Sequence, residues 1–106
     1  MKNKEEVISN VFDLWNGYAK TKSKLTERRK RLTETVLEKI SLEEAMSIIE
    51  YMFESDDDYA HYMRQNNYTS FENIFRPTKL EDKLAKAKSW KDSFELPEDD
   101  FGWDIE

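Results

Sequence analysis

Between residues 68 and 78 the chain reads Tyr68-Thr69-Ser70-Phe71-Glu72-Asn73-Ile74-Phe75-Arg76-Pro77-Thr78. Two helix-start signals overlap there. Thr69 with Glu72, and Thr78 with Glu81, have the spacing of a capping box. In that motif a hydroxyl and a carboxylate satisfy free N–H groups at a helix start. Phe71, Ile74 and Phe75 point one way on so short a turn, so this segment must be pinned to a core by three large side chains. Pro77 stops the turn and Thr78 starts the next helix. The punctuation demands a helical fold around the turn and prescribes no chemistry.

The rest of the chain supplies that core. Val7, Ile8, Val11, Phe12, Leu14, Trp15 and Tyr18 recur at three- and four-residue steps and predict a helix over residues 5–19. A polar connector, Thr21-Lys22-Ser23-Lys24, follows. A second helix starts at Thr26 as N-cap, with Leu32, Val36, Leu37 and Ile40 inward and Arg28, Arg31, Thr35 and Glu38 on the opposite side. A third opens with the capping box of Ser41 and Glu44 and carries Leu42, Ala45, Ile48, Ile49, Met52 and Phe53. Asp56 or Asp57 caps a short fourth helix with Tyr59, Tyr62 and Met63 inward, and Asn66-Asn67 closes it. A last helix covers residues 79–90, with Leu80, Leu84 and Ala87 on one face. The predicted fold is all-α, a small bundle of four or five helices over residues 1–90. An acidic, aromatic-containing extension over residues 91–106 follows, expected to be extended or disordered when alone.

Composition narrows the functions. Two glycines and two prolines in 106 residues leave long helices little interrupted. With no cysteine, neither a disulfide framework nor a zinc-thiolate site can form, and the cytoplasm is the expected compartment. The N-terminus lacks the apolar core of a secretory signal, and no apolar run is long enough to span a bilayer. No phosphate loop or dinucleotide fingerprint occurs. His61 has Asp57 and Asp58 nearby, but nothing supplies a nucleophile, so a helix-surface histidine is expected. The acids at 56–58 lack the alternating spacing and central glycine of a calcium loop and are expected to be solvated. The expectation is a non-enzyme with no cofactor, no metal and no catalytic residue, monomeric or weakly dimeric.

Charge is unevenly distributed within a net of -6. Residues 20–31 hold seven bases against the single acid Glu27, whereas residues 92–106 hold seven acids and no base. Such polarity points to charged partners.

Taken in order, four landmarks resemble the C-terminal helical module of phage replication-initiation proteins, the replisome organisers. They are Val11-Phe12-x-x-Trp15; Lys24-Leu25-Thr26 with Arg28-Arg29-Lys30; Ser41-Leu42-Glu43-Glu44 with Ile48-Ile49; and Tyr68-x-x-Phe71-x-x-Ile74-Phe75-Arg76. The resemblance spans residues 7–87. Proteins of that family usually carry an N-terminal winged-helix domain, whereas this sequence starts at the helical module. The small, often glycine-containing stretch between their second and third helices is Glu38-Lys39-Ile40 here. The resemblance implies a binding role in phage or mobile-element replication, with a helicase loader, helicase or other replication protein as partner.

Three constellations could carry such a role. Lys22, Lys24, Arg28 and Arg31 offer a basic face on which guanidinium groups three residues apart straddle neighbouring phosphates. The same face could instead pair with the chain's own acidic tail. In that tail Phe94, Leu96, Phe101, Trp103 and Ile105 are apolar anchors among acids, the composition of a short docking motif. They could equally fold back onto the bundle. Tyr59, Tyr62, Tyr68 and Phe71 could stack on bases, but core packing is the stronger expectation in so small a domain. A different class of function, a small phage-encoded inhibitor whose acids mimic nucleic acid against a host nuclease or defence complex, would use the acids at 56–58 and in the tail.

Overall fold

A computed structural model describes the backbone of residues 4–104 and the side chains of residues 4–93. The described residues form an all-α fold. Its helices are α1 (Lys4–Ala19), α2 (Glu27–Lys39), α3 (Leu42–Glu54), α4 (Asp58–Gln65), α5 (Phe71–Ile74) and α6 (Leu80–Asp104), with a 3-10 turn at Pro77–Lys79 before α6. The domain boundary expected at residue 90 falls inside α6, whose backbone runs on to Asp104. No helix among the described residues is long and apolar enough to cross a membrane.

Helix α3 is the centre of the bundle and packs against each of the other five α-helices. Its stripe explains why. Ala45, Ile48, Ile49, Tyr51 and Met52 are all fully buried, so the helix is apolar over more than one face. The capping box of Ser41 and Glu44 forms in both directions, Glu44 N donating to Ser41 Oγ (3.1 Å) and Ser41 N to Glu44 Oε1 (2.9 Å). Tyr51, outside the expected stripe, is buried because its hydroxyl donates to Asp57 Oδ2 (2.7 Å). Burial, followed by that carboxylate, pushes the phenol up from its ordinary range.

Phe71, Ile74 and Phe75 are wholly buried, as the sequence demands. Phe71 meets Phe12 and Trp15 edge to face, with ring centroids 5.4 and 5.6 Å away. Trp15 is 4% exposed, and its indole N–H donates to the carbonyl of Thr69 at 2.9 Å. That bond satisfies the one polar atom of a buried ring.

Four details differ from the expectation. The cap of α5 is Ser70, whose hydroxyl accepts from Asn73 N, and not Thr69. Thr78 caps nothing: Pro77 occupies the first position of the 3-10 turn, so Thr78 already lies inside it. A proline suits that position because its missing N–H would go unbonded there. On α2 the core side includes Thr33, which is buried because its hydroxyl donates to the Arg29 carbonyl (2.8 Å), while Leu32 is half-buried. Tyr62 and Tyr68 are 53% and 43% exposed, although core packing was the stronger expectation for them. Helix α4 has only eight residues, and Ala60 and Met63 take its inward side.

Candidate nucleic-acid interface

The basic segment is organised from both ends. Helix α1 ends at a left-handed Lys20 (φ 58°). The Asn16 side chain then holds the connector, its Nδ2 donating to the Ser23 carbonyl (3.2 Å) and its Oδ1 accepting from Ser23 N (3.3 Å). At the other end Thr26 caps α2 by accepting from Arg29 N (3.3 Å). The connector that carries Lys22 and Lys24 is therefore fixed against α1 and leads directly into the first turn of α2.

Within the basic run, neighbouring cations divide into two groups. Arg29 is committed to the fold. Its Nε donates to Glu72 Oε2 (2.8 Å), its Nη2 reaches Oε1 (3.4 Å), and its Nη1 donates to the Lys24 carbonyl (3.1 Å). The guanidinium also lies 5.7 Å from the Phe12 ring centroid and 5.5 Å from that of Trp15. Hydrogen bonding from Arg29 is the main cause that holds the Glu72 carboxyl below its usual range. Lys30 pairs with Glu27 at 3.6 Å. In contrast, Lys22, Lys24, Arg28 and Arg31 are exposed, and none is in an ion pair among the described residues.

The structure brings Lys24 and Arg28 together on an open groove of about 600 Å³, also lined by Ser23, Thr26, Glu27, Arg29 and Glu72. Glu72 brings a negative charge, which Arg29 offsets. Arg31 stands one turn farther along the exposed side of α2 with Thr35 and Glu38, the side the sequence assigns them to. Spacing marks that face in the sequence. The structural role of Arg29 is invisible there, because Glu72 lies far away in the chain.

The other candidates resolve differently. Asp57 is the N-cap of α4: its carboxylate accepts from Ala60 N (2.9 Å) and from the Tyr51 hydroxyl. A carboxylate held in this way is a poor phosphate mimic, leaving Asp56 and Asp58 exposed beside it. His61 is exposed on α4. Among the described residues no three His, Asp or Glu side chains gather as metal ligands. The tail anchors Phe94, Leu96, Phe101, Trp103 and Ile105 lie outside the described side chains.

Comparison with family models, with curated proteins and with solved structures gives no match to this chain. The described residues form an all-α module in which Lys22, Lys24, Arg28 and Arg31 make an exposed basic edge outside the described ion pairs.

Proposed function

We propose that this chain is a non-enzymatic, phage-type interaction module that works in the cytoplasm in DNA replication initiation. It binds a helicase loader, helicase or other replication protein and contacts DNA through the N-terminal half of α2. The order of landmarks that resembles the replisome organisers supports the phage and replication parts of the reading.

One observation carries the DNA contact. Lys22, Lys24, Arg28 and Arg31 are outside the described ion pairs, although the chain has a net charge of -6 and acids to spare. Exposed cations left together on a fixed connector and a helix edge raise the local potential and attract an external polyanion. The protein partner is assigned to the acidic tail, where Phe101 and Trp103 are the main anchors and the carboxylates steer toward a basic rim.

The test is binding of a labelled DNA duplex across a salt series. The logarithm of the association constant should fall linearly with log salt, by about 0.9 for each phosphate neutralised. Arg28→Glu combined with Arg31→Glu should abolish binding while circular dichroism stays unchanged. Failure to bind the duplex at low salt, or duplex binding unchanged in the double variant, would retire this contact.

A further inference from the structure

Tyr62 and Tyr68 stand edge to face with ring centroids 6.0 Å apart. Their placement is fixed by the way α4 ends. Asn67 is left-handed (φ 60°), Asn67 N donates to the Arg64 carbonyl (3.2 Å), and Tyr68 N donates to the Met63 carbonyl (2.8 Å). This is the paired hydrogen-bond pattern of a Schellman cap, with Asn in the position that tolerates positive φ. The turn delivers Tyr68 back beside Tyr62 and holds it there.

The two rings wall an open cleft of about 640 Å³. That size falls in the range of about 300–1,000 Å³ typical of ligand sites. Arg76, Lys79 and Lys83 also line it, with Asp82 as the single carboxylate. Arg76 donates to Asn73 Oδ1 (3.2 Å), and neither Arg76 nor Lys79 is in an ion pair among the described residues. Lys83 is only 2% exposed and donates to the carbonyls of Asn73 and Ile74. Burial first, then the charges of Arg76 and Lys79, push its ammonium down to about 8. The cations are thus near enough to repel one another, and an anion placed among them relieves that repulsion.

Exposed rings beside unpaired cations match a ligand that has both a flat π face and a phosphate. We infer that the cleft between α4 and the start of α6 binds a nucleotide of single-stranded nucleic acid, its base stacked on Tyr62 and Tyr68 and its phosphodiester held by Arg76 and Lys79. A duplex keeps its bases inside the stack, so its backbone would reach the cations but not the rings. This surface shares no residue with the α2 face, so either can fail without the other.

The probe is an oligothymidylate of about 12 nucleotides carrying an internal 2-aminopurine, a length within single-strand site sizes. Binding is followed by anisotropy, and stacking by quenching of the 2-aminopurine. The wild-type chain should bind at low salt with quenching. Tyr62→Ala with Tyr68→Ala should weaken binding about tenfold or more and remove the quench. Lys79→Glu should weaken binding while keeping the quench at saturation. Arg28→Glu with Arg31→Glu should leave the tyrosine-dependent quench in place. Unchanged melting temperatures certify that the variants fold, as all the substituted side chains are exposed. No binding by the wild type, or full affinity and quenching in the tyrosine double variant, would overturn the proposal. Equal competition by a polyglutamate peptide would also overturn it, by showing that the cleft takes acidic chains without reading a base.

Discussion

An ammonium group withdrawn from water and set near other cations gives up its proton more readily than a solvated one, and Lys83, buried near Arg76 and Lys79, is such a group. Its folded value of about 8 lies below the ordinary 10.5 that it regains on unfolding. Between those two values the unfolded chain binds more protons, so this residue makes stability rise with pH across that window. Urea midpoints should therefore increase from pH 8 toward pH 10 more in the wild type than in Lys83→Met. Tyr18, pushed up to about 12 by its hydrogen bond to Glu54 and then by burial, acts in the opposite sense above pH 10. The comparison with the variant cancels that contribution. Arginines permit a second test. Arg29→Ala removes the Glu72 pair and the contacts with two rings, and should cost about 1–2 kcal/mol. Arg28→Ala should change stability by less than about 0.5 kcal/mol. Sequence spacing identifies Trp15 as buried and Arg28 as exposed, because both follow from position around one helix. It does not single out Arg29, Tyr51 or Lys83. Their environments come from Glu72, Asp57 and the α5 carbonyls, which tertiary folding brings to them.

Among the elements, the helix starts show when a local signal suffices. Before α3 the only hydroxyl at the right offset is Ser41, and the capping box forms there. Before α5 two hydroxyls are adjacent, and tertiary structure decides between them. The Thr69 carbonyl accepts the Trp15 indole, while Ser70 turns its hydroxyl to Asn73 N (3.2 Å). Thermal unfolding should separate them: Ser70→Ala should cost about 1 kcal/mol, as for other N-caps, and Thr69→Ala markedly less. An equal loss from both would mean that the cap is shared. Helices α1, α2 and α3 are legible from apolar periodicity because each runs for three turns or more. Helix α4 is too short for the pattern to tell Tyr62 from Met63, so periodicity offers Tyr62 and Tyr68 as stacking candidates but favours the core, whereas both rings are exposed.

At the scale of the molecule, the described contacts of α6 with the bundle reach at least to Lys91. Trp90 meets Tyr51 edge to face at 5.9 Å, and Lys91 Nζ bonds Glu50 Oε1 at 2.6 Å. A chain ending at residue 93 keeps both contacts. If the acidic segment beyond it docks onto a partner, this truncation should melt at the wild-type temperature but lose binding to that partner. A lower melting temperature with binding intact would assign the tail anchors to the bundle instead. The Trp15–Thr69 bond has a kinetic consequence as well. It joins residues 54 positions apart, so it can form only after the intervening chain has closed into a loop. In a chain carrying Trp90→Phe and Trp103→Phe, the remaining indole is a clock for that closure. Its emission should shift to the blue only when the α5 turn arrives, later than the far-ultraviolet signal of the helices if they form first and together with it if the bundle condenses in one step.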